Sequence, residues 1–594
     1  MIASAPAAIT APPARAPLRA RWIIAEPPDS AAIDRLAAEL RLPRVLCGIL
    51  ARRGYTEPDA AKAFLRPHAG QIHSPFELAG MTAAAGRIAA AVRSGEVILV
   101  HGDYDVDGVS STALLCRALT MTGARVVPFV PHRMENGYDL GVGGIAAAEE
   151  AGATLIVTCD CGIVAHEAVR TASSRGIDVV VTDHHTPGET LPPALAVVNP
   201  NRPDCLYPDK GLAGAGVAYK LALAVAAELG VPEARLHPLL DLVAVATIAD
   251  LAPVTAENRA LLRWGIDILQ DSPNSGMRAL IRASGLEQKE GVTAGRIGFT
   301  LAPRLNAAGR MGDAMRAVRL LLTENPAEAE SIATELEGVN RGRQELDRAT
   351  LEDALRLLDR SYDPARDFGV VLASPNWHPG IIGIVAARVV EQIHRPVVMI
   401  SLGDTEGKGS ARSIRGFHLH QAFVACERHL LRYGGHRMAA GCSLLPGEAD
   451  AFRESFNEVA RERLEADQLV PQLEIAAEVA LSEVTHELWR ILRHFEPFGI
   501  GNPTPVFAAR GVQLASPPRL VGKEGEHLKL SLQDASGAML PAIGFRMGDR
   551  LRELGGVGSR VDIAFKVDED TWRGRSSGGT PGVQAVLVDL RVAS

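Results

Sequence analysis

Membrane-length hydrophobic runs are missing from this chain. No uncharged apolar stretch reaches the ~20 residues that a bilayer span requires, and the apolar segment from Leu212 is interrupted by Lys220. A membrane-spanning helix is therefore excluded. Cysteine is sparse and scattered: Cys47, Cys116, Cys159, Cys161, Cys205, Cys426 and Cys442 form no CxxC pair. No disulfide framework follows, which suits a reducing cytoplasm, and Cys159 and Cys161 are spaced too tightly for an ordinary zinc-ribbon knuckle. They read as small packing residues. Lysine is nearly absent, with eight copies, so the basic residues are mostly Arg, a side chain suited to bidentate phosphate contacts. A positive balance is lacking too. The formal charge of −8 argues against sequence-independent nucleic-acid binding over the whole surface but leaves room for a local basic groove. The first twenty residues, rich in Ala, Pro and Arg, have no continuous apolar core and read as a disordered tail rather than a signal peptide.

What the chain has is length, 594 residues at 47% hydrophobic content, enough for three or four cores. It also has four carboxylate-bearing segments: HGDYDVDG at 101–108, TCDCG at 158–162, TDHH at 182–185 and IAD at 248–250. Three of them end short branched runs, Val97 to Val100, Leu155 to Val157 and Val179 to Val181, each fitting a buried parallel strand. Helix-like stretches lie between, at Ser110 to Met121 and Ile163 to Ser174, so the expected fold is α/β with a doubly wound parallel sheet. Ligands of such sheets sit beyond the carboxyl ends of the strands. That edge would carry Asp103, Asp105, Asp107, Asp160, Asp183, His184 and His185. If the segment after the first strand is extended, Asp105 and Asp107 point the same way into one crevice.

Plainer readings compete. Asp103-x-Asp105-x-Asp107-Gly108 reproduces the opening of an EF-hand loop, but the twelfth position, which should be Glu, is Leu114, and a strand rather than a helix precedes it. Asp160 and Asp183 could each be helix N-caps, although that leaves the paired histidines and the repetition at three strand ends unexplained. Carboxylates with imidazole and without thiolate suit Mn²⁺ or Mg²⁺ better than structural zinc, and two such ions are expected in one crevice.

Further along, Leu301 to Gly312 mixes small residues with Arg304, Asn306 and Arg310 and reads as a close-packed loop, with Arg310 offered to a phosphate or ion-paired within the turn. A helix is expected over 326–362, where Ile332, Leu336, Val339 and Leu346 recur at helical spacing. A second α/β unit follows. Its loops, around Asn376 to Gly380, Lys408 to Ser413 and Gly434 to Gly441, combine glycine with Ser410, Arg412 and His436, residue types that cradle a phosphate. From about 466 the chain is expected to be β-rich, with Leu528 to Gln533 alternating and Arg519, Lys523 and Lys529 available to a nucleic-acid strand. The loop GRSSGGTPG at 574–582 reads as flexible.

These motifs, with IAD and the following ENR at 257–259, NAAGR, WHPGIIGIVA, GKGSARS, GGHRMAAG and EPFGIGNPTPVF at 496–507, occur in an order that resembles the DHH-superfamily phosphoesterases and, within them, the RecJ exonuclease family. The resemblance implies a disordered tail (1–20), an N-terminal segment (21–75), a DHH catalytic domain (76–325), a connecting helix (326–362), a smaller α/β DHH-associated substrate-binding domain (363–460) and a C-terminal OB-like barrel (466–594). It implies that Asp105 binds one metal and Asp107 the other, that Asp160 bridges them, and that His184 and Asp250 complete the second site. His101 or Asp103 would stand near the first metal, the choice being open, and His185 would lie behind the metals or touch phosphate. His436 would contact the scissile phosphate, Ser410, Arg412 and Arg133 would form a 5′-phosphate pocket, and Tyr138 would stack on a terminal base. The implied activity is hydrolysis of single-stranded DNA from its 5′ end by two metals, releasing 5′-mononucleotides in recombination and repair. A monomer without membrane contact is implied, with a single-strand-binding protein and a RecQ-type helicase as partners. DHH enzymes acting on RNA, short oligonucleotides or cyclic dinucleotides, and a non-catalytic replication scaffold on the same fold, are the alternatives.

Overall fold

Branched runs too short for helices and too apolar for solvent become the centre of a parallel sheet. In this computed structural model, which describes residues 18–26, 28–132, 139–286, 291–570 and 582–593, the strands run Arg125–Phe129, Val97–Gly102, Ala153–Cys159, Asp178–Thr182, Ala196–Val198 across the sheet. All four pairings are parallel. Alternate residues feed separate cores. Ile98, Val100, Leu155, Val157 and Val180 join the helices Val106–Met121, Gly214–Glu228 and Leu240–Ala249 on one face. Leu99, Ile156, Val179 and Val181 pack on the other face with Val142–Ala151 and His166–Ser174. Each buried branched side chain contributes about 1.5–3 kcal/mol, so a strand covered on both sides is held by every residue. The sheet is doubly wound as expected. Its order reverses between Val97–Gly102 and Ala153–Cys159, the switch point where such folds leave a crevice.

The described residues fall into two compact units, Ile24–Asn340 with Ile475–Ser594 and Arg341–Glu474 with the residues up to Ile23. The helix Pro326–Ser361 contributes residues to both. In the first unit the C-terminal strands close on themselves. Phe507–Leu514 pairs with Arg560–Asp570, which pairs with Gly582–Val592, then Met539–Gly544, then His527–Gln533, and the last returns to Phe507–Leu514. Five strands thus form a barrel. Leu528, Leu530 and Leu532 point inward and alternate with more exposed neighbours, as their sequence predicts. Less expected is the content of that core. Leu36, Leu46, Leu50 and Phe64 from the N-terminal helices share it with Phe495, Phe507 and Phe565. In the second unit, a sheet of Arg432–Gly435, Ala439–Leu444, Gly407–Arg412, Val397–Leu402 and Val370–Ser374 packs over Phe417, Phe423, Phe452 and Phe456.

Three local expectations need correction. Leu301 to Gly312 is not a loop: a π-helix, Ile297–Leu301, leads into the α-helix Ala302–Met311. Its small residues permit helical approach, since a Cβ on Gly309 would lie 2.2 Å from the Tyr104 carbonyl oxygen. Lys408 to Ser413 is mostly strand rather than loop, because pairing on both sides by Val397–Leu402 and Ala439–Leu444 outweighs its glycines. Of the two helices expected here, one begins at Val106 rather than Ser110 and the other at His166 rather than Ile163. Arg133, Tyr138 and most of the 574–582 segment lie outside the described residues.

Candidate functional site

Asp105 is where strand gives way to helix. Its carboxylate accepts from the amides of Asp107 (2.9 Å) and Gly108 (3.1 Å), making it the N-cap of Val106–Met121. Asp107 therefore stands in the first helical turn, not in an extended segment. It reaches the crevice because its two oxygens accept, at 2.7 Å each, from the amides of Gly214 and Ala215, which open another helix. That helix start supplies unsatisfied N–H groups and the positive end of a dipole. The sequence signal was the Gly-Ala-Gly at 214–216, lying 107 residues from its partner.

Asp160 leaves the second strand in the left-handed region, φ 62°. Neither it nor Asp183 caps a helix of its own. The helix after Asp160 starts at His166 with Ala165 in the cap position, and Asp183 turns back to accept from Ile163 N (3.0 Å), His184 N (2.7 Å), His185 N (3.0 Å) and His185 Nδ1 (2.8 Å). One buried carboxylate thus fastens the Asp160 loop to the paired histidines, a role the sequence reading did not assign.

The side chains then meet in overlapping triplets. Asp103, Asp105 and Asp160 form one, Asp107, His184 and Asp250 a second, and Asp160, His184 and His185 a third, with ligand atoms within 4.8 Å of one another in each. His184 Nε2 lies 3.0 Å from Asp160 Oδ1, 3.7 Å from Asp250 and 3.8 Å from Asp107. Asp160 Oδ1 and His184 Nε2, buried and 3.0 Å apart, make no aligned hydrogen bond, and carboxylate oxygens of Asp103 and Asp105 gather beside Asp160. Buried oxygens and an imidazole nitrogen left in this way fit a hard divalent cation. The electrostatics agree. Burial, then Asp107, Asp105 and other nearby carboxylates, raise the Asp160 proton affinity well above the ordinary range, and burial with the same neighbours pushes Asp250 up to about 8. A cation relieves that repulsion. Burial works against a charged His185, but the Asp183 carboxylate outweighs it and raises the imidazole to about 9.

The two candidates at the first metal position stand in different surroundings. Asp103 joins Asp105 and Asp160, whereas His101 is fully buried beside Cys161 Sγ (Nδ1 at 3.6 Å) and the Phe129 ring. Burial lowers His101 to about 4. Arg310 is half-buried on the helix that abuts Tyr104, while Arg304 is engaged by Glu337 and the Thr300 carbonyl, both at 2.6 Å.

In the other unit, Ser410 and Arg412 are neighbours on one strand face, with Arg412 Nη1 donating to Ser410 Oγ at 3.4 Å. The first turn of helix Ile382–Ile393 lies against them: a Cβ on Gly383 would meet Ser410 Oγ at 2.8 Å and Arg412 Nη2 at 3.2 Å. A hydroxyl, a guanidinium and a helix N-terminus are groups of the kind that suit an anion. His436 is exposed in the turn of the adjoining hairpin, its amide donating to Ala439 O.

Gly214 has no room to change. A Cβ there would lie 2.6 Å from Asp160 Cβ and 2.9 Å from its Cγ. Gly214→Ala is expected to displace Asp160 and lower both Mn²⁺ affinity and turnover roughly 10- to 100-fold, the scale of losing a ligand's support. Calorimetric titration with Mn²⁺ checks this, and wild-type affinity in the variant would contradict it.

Three family models and several characterised relatives match the chain. Residues 97–247 match the DHH family N-terminal domain, 367–462 the DHHA1 domain and 475–578 the RecJ OB domain. The single-stranded-DNA-specific exonuclease RecJ of Dickeya dadantii is 39% identical over 556 residues, covering 90% of this chain and 95% of that protein. The crystal structure of Thermus thermophilus RecJ in complex with Mn²⁺ superimposes with a TM-score of 0.82 at 34% identity, covering 97% of this chain and 80% of that one. The Mg²⁺ complex of the same protein gives 0.76 at 31% identity, covering 97% and 79%.

Proposed function

The chain belongs to the RecJ family of single-stranded-DNA-specific exonucleases, and from that membership we propose that it degrades single-stranded DNA from the 5′ end to 5′-mononucleotides during recombination and repair. The observation that carries this reading is the chain of overlapping metal-ligand triplets, linked through Asp160 and His184, at the sheet's switch point.

Asp103, Asp105 and Asp160 would hold one ion and Asp107, His184 and Asp250 the other, with Asp160 common to both. Two divalent cations, Mn²⁺ or Mg²⁺, supply when bound the charge that acidifies water and offsets the attacking and leaving oxygens of an in-line displacement. The protein's own part is placement. Gly214 and Ala215 amides fix Asp107, and Asp183 fixes His185 by its Nδ1, leaving Nε2 for a phosphate oxygen. Ser410 and Arg412 suit a terminal 5′-phosphate, and His436 a phosphate at the bond to be broken. Breaking the bond between phosphorus and the 3′-oxygen releases a 5′-mononucleotide with a free 3′-hydroxyl and leaves the phosphate on the shortened strand, so the new 5′-phosphate can enter the same pocket.

We place the chain in the cytoplasm as a monomer that meets a single-strand-binding protein and a RecQ-type helicase. All seven cysteines are free and buried, and no helix among the described residues is long and apolar enough to cross a membrane. The test is digestion of a 5′-phosphorylated single strand, labelled at either end, with Mn²⁺. Mononucleotides should appear first from the 5′ label, with duplex spared. Release from the 3′ end, or preference for RNA or cyclic dinucleotides, would overturn the reading.

A further inference from the structure

Two unusual backbone conformations present apolar side chains to solvent beside Asp250. Leu251, the next residue, has φ 58° and is 67% exposed. A branched-chain residue held in the left-handed region costs free energy, and nothing in the apolar core repays it here. Phe299 sits in the π-helix Ile297–Leu301 and is 90% exposed. The extra residue of a π-turn rotates a side chain out of register with its helix, and such turns gather at functional sites. Here the helix still packs closely on its neighbour, a Cβ on Gly298 falling 3.2 Å from Ile248, so Phe299 is turned away from the core while its backbone is anchored to it.

Both residues line one cavity of about 310 Å³, with Asn306, Phe498 and Ile500. Phe299 and Phe498 also border a second, of about 580 Å³, reaching Arg263, Thr293 and Arg493. Arg493 and Phe498 border a third, of about 260 Å³, which ends at Trp489 and Lys566 beside the barrel. The three make a continuous furrow from the residue after Asp250 to the barrel. Its floor is held: Val254 N donates to Ile500 O at 2.7 Å. Arg263 lies near Asp267 and Arg493 near Glu496, so the walls are close to neutral and favour the faces of bases over phosphates.

We propose that this furrow receives the bases of the strand on the 3′ side of the scissile bond, with one base stacked on Phe299 and edged by Leu251. This deepens the exonuclease reading and rests on it. An enzyme that consumes a 5′ end has only the 3′-continuing strand to guide away from its carboxylates, and the furrow starts beside one of them. Phe299 is thus a specificity residue that favours a long single strand over a di- or trinucleotide, without touching the reacting phosphate.

The experiment measures kcat/KM for a 5′-phosphorylated strand of about 20 nucleotides against a 5′-phosphorylated dinucleotide. Phe299→Ala should reduce the preference for the long strand about tenfold, chiefly through KM, and Phe299→Trp should restore it. An equal loss on both substrates, an effect confined to kcat, or no effect would overturn the proposal, as would a furrow that took an apolar peptide and left strand binding unchanged. Binding to the Asp160→Asn protein, read by fluorescence anisotropy of the long strand, separates the two readings. If Phe299→Ala weakens that binding while wild-type protein hydrolyses no single strand, the furrow stands and the exonuclease reading fails. If hydrolysis proceeds and binding is unaltered, the reverse holds.

Discussion

Asp160→Asn abolishes turnover, by more than about 10⁴-fold, while the protein prepared without divalent ions melts higher than wild type. The first effect follows from the place of Asp160, which stands in one triplet with Asp103 and Asp105 and, 3.0 Å from His184 Nε2, beside the triplet of Asp107, His184 and Asp250, so that one substitution disturbs both proposed cation sites. A loss of that size corresponds to about 5.5 kcal/mol of transition-state stabilisation, within reach of the Lewis-acid and orienting contributions of two metals. The second follows from charge. Burial and the surrounding carboxylates disfavour an ionised Asp160, and Asn keeps the shape while removing the repulsion. Asn is also tolerated at φ 62°, whereas Ala there adds about 1–2 kcal/mol of backbone strain, which makes Asp160→Asn the cleaner variant. Adding Mn²⁺ should raise the melting temperature of wild type and leave the variant's nearly unchanged; chelation should reverse the gain. Arg412→Ala, which alters only the proposed phosphate contact, should retain measurable turnover. Equal residual activity in the two variants would contradict the bridging role.

Arg259→Met is expected to lower stability by about 4–6 kcal/mol, the second large effect. Arg259 is 1% exposed and, among the described residues, forms no ion pair with a carboxylate, Glu496 acting on it only from a distance. Its guanidinium instead donates to four carbonyls: Phe64 O (2.8 Å), Pro497 O (3.1 Å), His494 O (3.0 Å) and Glu496 O (2.8 Å). Its central carbon lies 4.0 Å from the centroid of the Phe64 ring. Burial lowers its proton affinity to about 10, still far above neutrality, so the charge is retained. Methionine fills the volume but strands four acceptors, each costing about 1–3 kcal/mol before water relieves some of them. Lysine cannot replace the fork, since a point charge reaches fewer of these oxygens. Thermal melting should show Met lowest, Lys intermediate and wild type highest. A Met variant melting within about 2 °C of wild type would show that the four bonds matter little.

The motif that contains Arg259 shows where sequence reading succeeds and stops. Glu257, Asn258 and Arg259 follow the IAD segment and look functional, yet all three are buried and structural: Glu257 pairs with Lys220 and accepts from Tyr207 at 2.5 Å, and Asn258 donates to the Pro253 carbonyl at 3.0 Å. Acidic residues at the ends of branched strands were legible because alternation and burial are local properties. So were the parallel sheet and the alternating barrel strand. The partners of Asp107 were not, since they come from a helix start far along the chain. The choice between His101 and Asp103 was equally closed to sequence, because both lie at the same strand end and only the sharp turn after Gly102 separates them. NAAGR was misread as a loop because small residues signal turns when exposed but close packing when buried.

The core shared by the N-terminal helices and the barrel has a consequence for synthesis. Leu36, Leu46, Leu50 and Phe64 leave the ribosome well before their packing partners Phe507, Phe565 and Leu590, which follow more than 440 residues later. At ~5–20 residues per second, the interval is roughly half a minute to two minutes. During that time Leu36, Leu46 and Leu50 await a core to which, among the described residues, no apolar side chain between 66 and 475 contributes, Arg259 alone reaching Phe64, which makes the nascent chain a client for a holding chaperone and makes any premature stop before the barrel an aggregation hazard rather than a shortened nuclease.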